Sequence, residues 1–172
     1  ADIPTPNAKT CAGTATETTL TADTDASPFA VGDVLLLHQS RGTGAGQWEI
    51  NGISAVGSDQ YTLQAPLNYT YTDSGASQAQ AIKIPQYTDV TVQEGNWTLS
   101  DWDGNTGGIL VLAANGTLTI TGNIIGTGKG FVGASSPAAA TPGNQGEGTG
   151  GAGTQSTSAN GSGGGGGGYS AA

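Results

Sequence analysis

Apolar residues fall along this chain in short pulses, and no window shows the three-four spacing of a helix of three turns. Residues 15–22, Ala-Thr-Glu-Thr-Thr-Leu-Thr-Ala, alternate weakly and predict a first strand. The clearest signal follows, where Ser27-Pro28-Phe29-Ala30-Val31-Gly32-Asp33 turns into Val34-Leu35-Leu36-Leu37. Consecutive large aliphatics after a tight turn predict a strand covered on both faces. Gly42, Gly44 and Gly46 mark a loop, after which Trp48 and Ile50, with Ile53, are expected to form an inward face at period two. Gly57-Ser58-Asp59 returns the chain through Tyr61-Thr62-Leu63, which Pro66 confines to an edge or an end. With Ala81-Ile82-Lys83-Ile84 and Val90-Thr91-Val92, residues 15–95 predict an all-β unit of short strands, a small barrel or sandwich. Residues 1–14, with Pro4 and Pro6, read as an extended N-terminal arm lying on its own sheet edge or on a neighbour's.

Over residues 96–125 the texture changes. Trp97, Leu99, Ile109-Leu110-Val111-Leu112, Leu118, Ile120 and Ile124-Ile125 are separated by Asn-Gly and Gly-Asn corners. Asn115-Gly116 is a two-residue hairpin signal, yet the stepping pulses equally suit a parallel β-helix in which each coil stacks on the one before. Both readings stay open on pattern alone. The last stretch, residues 126–172, holds 17 of the 31 glycines and only Phe131, Val132 and Tyr169 as large apolar groups. It cannot bury a core of its own, so the expectation is an extended, polyglycine II-like segment ordered by backbone hydrogen bonds to protein, within or between subunits.

Composition narrows the partners. Only 10% of residues are charged, and the net charge of −9 arises beside just four basic residues, Lys9, Arg41, Lys83 and Lys129. Nucleic acid finds no basic patch here, and no apolar run has the length of a membrane-crossing helix. The chain lacks methionine, so Ala1 reads as a processed or truncated start, for which removal of a secretory signal would account. The lone Cys11 rules out an internal disulfide and leaves a buried thiol or a bridge to another subunit.

Candidate chemistry is sparse. Asp101, Asp103 and Asn105 offer oxygens at alternate positions, as calcium loops do, although Leu112 stands where a bidentate Glu is expected; calcium is the one cofactor the sequence leaves open. Ser40 and His38 lie two apart on a strand without an identified orienting acid, and Glu94, Asp101 and Asp103 share a stretch that a glycosidase rim would need. Trp48, Trp97 and Trp102 are candidate stacking surfaces for sugar rings. Asn68, Asn96, Asn115 and Asn160 each head an N-x-Ser/Thr triplet, an acceptor for glycosylation in a host that performs it.

The order Val31-Gly32-Asp33-Val34-Leu35-Leu36-Leu37, then Gly107-Gly108-Ile109-Leu110, then the Asn115-to-Phe131 run resembles large secreted bacterial surface proteins, adhesin-like chains with glycine-rich β-solenoid regions. The glycine tail also resembles that of phage tip adhesins, which pack polyglycine strands into a bundle. The resemblance implies an extracellular role in adhesion or assembly. The resulting expectation is a non-enzymatic, self-assembling subunit of a filament or surface layer, a homo-oligomer or polymer. A carbohydrate-binding or cell-attachment module is the alternative.

Overall fold

A computed structural model describes residues 7–22, 29–93, 95–133 and 146–148. Among these the chain is all-β. Six strands, β1 (Ala8–Ala12), β2 (Thr19–Ala22), β3 (Val34–Arg41), β4 (Trp48–Val56), β5 (Gln60–Leu63) and β6 (Gln78–Lys83), form a closed antiparallel barrel in the order β1-β2-β5-β4-β3-β6. The barrel decides between the two architectures the pattern allowed. It also recruits β1 from the stretch read as an arm: β1 pairs with β2 on one side and β6 on the other, closing the wall and removing both open edges.

Alternation places the core. Leu20, Leu35, Leu37, Ile53, Tyr61 and Tyr71 fill the lumen with Cys11, and small Ala79 and Ala81 on β6 leave room for them. The strand after the glycine loop reverses the expected polarity. Glu49 and Asn51 point inward with Ile53, while Trp48 and Ile50 stand outside at 50% and 56% exposure. Ile50 and Ile53 are an odd number of residues apart, so a regular strand cannot aim both inward. Glu49 and Gln39, both turned inward, find backbone partners. Glu49 accepts the Asn68 N–H at 3.1 Å and the Asn68 side-chain amide at 2.8 Å. Gln39, fully buried, donates to Thr72 O and accepts from Thr72 N, both at 2.9 Å.

From β6 the chain runs straight into a two-coil parallel β-helix. Its first coil carries β7 (Gln86–Tyr87), β8 (Val90–Val92) and β9 (Asn96–Thr98); the second carries β10 (Ala113–Ala114), β11 (Leu118–Ile120) and β12 (Asn123–Ile125). Ala113 stacks on Gln86, Leu118 on Val90 and Asn123 on Asn96, offsets of 27, 28 and 27 residues. The barrel therefore stops short of the predicted limit at residue 95, since Val90–Val92 belongs to the first coil. Asn115-Gly116 is a coil corner, not a hairpin turn. Neither residue has the positive φ that a type I′ turn requires, and their N–H groups donate to Tyr87 O and Thr88 O of the coil beneath. The expected polyglycine packing of residues 134–145 and 149–172 falls outside the described residues.

Candidate functional site

The chemistry-bearing side chains gather where the β-helix meets the barrel. Residues 99–112, between the coils, fold back over the outer wall of β3 and β6. There the Gln80 side-chain amide pairs with the Gly107 peptide: Nε2 donates to Gly107 O at 3.1 Å, and Gly107 N donates to Oε1 at 2.9 Å. Gln80 Nε2 also donates to Ser40 Oγ at 2.9 Å, and Ser40 Oγ lies 3.0 Å from His38 Nδ1. The pairing that uses every hydrogen has Ser40 donating to a neutral imidazole. Burial agrees with this, pushing His38 down to about 4.

The other side of His38 is aromatic. Its ring stacks on Phe131 with centroids 5.4 Å apart and 8° between planes, and Trp102 meets Phe131 edge-on at 4.9 Å. Glu147 ties the rim: it accepts from Trp102 Nε1 and from Val132 N, and lies 3.5 Å from Arg41 Nη1. Gly148 N donates to Ser40 O at 2.6 Å. A cavity of about 340 Å³ opens beside this joint, with Ala8, Ile82 and Ile109 as its apolar lining and Asp101, Asp103 and Thr106 among its polar groups.

The predicted residues separate accordingly. Ser40 and His38 do touch, but Ser40 is fully buried, so its hydroxyl has no approach for an acyl substrate. Asp101 forms an ion pair with Lys129. Asp103 caps its own turn, accepting from Asn105 N and Thr106 N at 2.8 Å, which holds its carboxyl below the usual range. Both aspartates are engaged through Oδ1, and among the described residues no three His, Cys, Asp or Glu side chains converge on a metal-sized site. Glu94 lies outside the described residues.

The three tryptophans stand on separate elements: Trp48 on the barrel wall, Trp97 in β9 and Trp102 in the fold-back. Trp48 is the cross-strand neighbour of His38, Trp102 meets the Phe131 ring that stacks on His38, and Trp97 lies on the β-helix. Of the glycosylation candidates, Asn68 has its Nδ2 committed to Glu49, whereas Asn96 and Asn115 are exposed on the coils and Asn160 is outside the described residues. Cys11 is a free thiol sealed in the lumen, where burial pushes it up from its ordinary value, so a bridge to another subunit has no route. Sequence reasoning passed over Gln80, Phe131 and Glu147. The apolar Phe131-Val132 pair inside a glycine-rich stretch was the available signal.

Among the described residues no helix is long and apolar enough to cross a membrane. Fold and joint define the class: a closed antiparallel barrel clamped to a short parallel β-helix. No protein-family model and no curated protein matches the chain.

Proposed function

We propose that the protein is a non-enzymatic, extracellular structural subunit that assembles by strand addition at the open end of its parallel coils, building a filament or a cell-surface layer. One observation carries the reading. In the first coil Val90 and Val92 are only 7% exposed because Leu118 and Ile120 stack on them, but Leu118, Ile120 and Ile124 themselves remain 47%, 48% and 38% exposed. A stacking row left exposed beside a strand edge that has no partner among the described residues is a template for more strand. The locked state of Ser40, His38 and Asp103 speaks for structure over turnover. Electron microscopy of the concentrated protein tests it: particles larger than a single chain are expected, and monodisperse monomers would end the proposal.

A second reading is favoured by Trp48, which stands half exposed on the outer barrel wall with Ile50 two residues on along the same face. On that reading the barrel wall stacks on the apolar face of a sugar. A glycan array probed with the protein and its Trp48→Ala variant separates the two, since binding lost on substitution would favour attachment over assembly.

A further inference from the structure

We infer that the free edge of β11 pairs antiparallel with the same edge of a second copy of this chain, centred on Thr119. This rests on the assembly reading above and specifies its first step: a two-fold pair closes on itself, so the coil ends give a dimeric unit and a filament or layer would join such units through another surface. β11 has β8 on one side and, among the described residues, no strand on the other. Thr117 O accepts from Val90 N and Thr121 N donates to Val92 O, so alternate residues of β11 face β8. By the same alternation the backbone groups of Leu118 and Ile120 face away from it.

The sequence of that edge is close to a palindrome: residues 117–121 read Thr-Leu-Thr-Ile-Thr. A two-fold axis at Thr119 places Leu118 opposite Ile120 twice over and Thr117 opposite Thr121, matching apolar with apolar and hydroxyl with hydroxyl. The outward donors and acceptors of Leu118 and Ile120 then serve one another. A one-residue slip sets Leu118 against Thr121. Centring on Leu118 or on Ile120 leaves the other apolar residue opposite Gly116 or Gly122.

Nothing on this edge repels a copy of itself. Residues 113–125 contain no Lys, Arg, Asp or Glu, the side chains that usually guard an open strand. Among the described residues the chain's own continuation adds no further coil either. One coil further on, Leu118 and Ile120 correspond to Gln145-Gly146 and Glu147-Gly148, without an apolar side chain, and Glu147 and Gly148 bond to Val132, Trp102 and Ser40 at the barrel joint.

In such a pair the two Thr119 residues form a non-hydrogen-bonded site with Cα atoms about 4.5 Å apart, within reach of a disulfide. The experiment combines sedimentation velocity of the full chain with oxidation of a Thr119→Cys variant; native Cys11 is buried and does not compete. The expected result is a dimer that Thr119→Cys traps as a reducible covalent pair, with an Asn115→Cys control remaining uncrosslinked. Ile120→Lys should raise the dimer dissociation constant by at least about tenfold with an unchanged circular dichroism spectrum. If that variant does not fold, the milder Ile120→Thr should weaken the dimer in the same direction. Larger assemblies that Ile120→Lys disperses but Thr119→Cys does not trap would overturn the two-fold pairing and leave strand-addition assembly standing. A monomer at every concentration up to about 1 mM would remove both.

Discussion

His38 sits on the outside of the barrel yet behaves as a core residue, because the fold-back covers it and Phe131 stacks on its ring. Its neutral form is therefore favoured: the unfolded chain takes up a proton near pH 6.5 that the folded chain refuses until about 4. Stability falls as pH drops through that window, and the loss, on the order of 3 kcal/mol, is complete below it. Urea midpoints at pH 7 and 4.5 should differ more for the native protein than for His38→Gln. The depressed carboxyl of Asp103 acts in the same direction at lower pH, so it is the difference between the two proteins that isolates His38. Glu49 poses a stronger test. Its carboxylate is buried and receives the Asn68 and Tyr69 N–H groups, so Glu49→Ala leaves those donors without a partner. A loss of about 3 kcal/mol is expected in equilibrium unfolding.

At the scale of elements, the β-helix is held by corners as much as by strands. Gly122 lies where a Cβ would stand 2.0 Å from Gln93 O of the coil below, whereas a Cβ on Gly126 would meet only Leu99 methyl groups at 3.8 Å. Gly122→Ala should therefore cost more than about 2 kcal/mol and speed amide exchange in β11 and β12, while Gly126→Ala should stay within about 0.5 kcal/mol. The fold-back is a second such element. It joins barrel to helix through Gln80, Gly107, Trp102 and Phe131. Trp102→Ala should lower stability by about 3 kcal/mol and raise amide exchange in residues 129–132, read by mass spectrometry after deuterium labelling.

At the scale of the whole molecule, closure depends on the first strand. β1 pairs with both β2 and β6, so removing residues 1–12 reopens two edges and uncovers the lumen around Leu20 and Leu37. The shortened chain should lose its cooperative unfolding transition and accumulate as insoluble protein. The ion pairs Lys83–Asp33, Arg41–Glu147 and Lys129–Asp101 lie at the barrel end and around the joint. Arg41, Lys83 and Lys129 are thus paired within the molecule, in a chain whose net charge is −9.

The all-β class, the strands at Val34–Arg41 and Gln60–Leu63 and the stepped pulses after residue 95 were legible in the sequence, because alternation, turn glycines and aliphatic runs are local consequences of backbone geometry. Barrel closure by β1, the inward Glu49 and the choice of coil corner over hairpin at Asn115-Gly116 were not. Each depends on a partner distant in the chain: β6 for Ala8, the Asn68 amide for Glu49, the carbonyls of Tyr87 and Thr88 for the corner. The joint followed the same rule, since Ser40, Gln80, Gly107 and Glu147 have no common local pattern and meet only once barrel and helix are both built. Residue order determined where the chain extends and turns, and tertiary structure decided which polar groups are buried, because a buried donor or acceptor is satisfied by whatever the fold brings beside it.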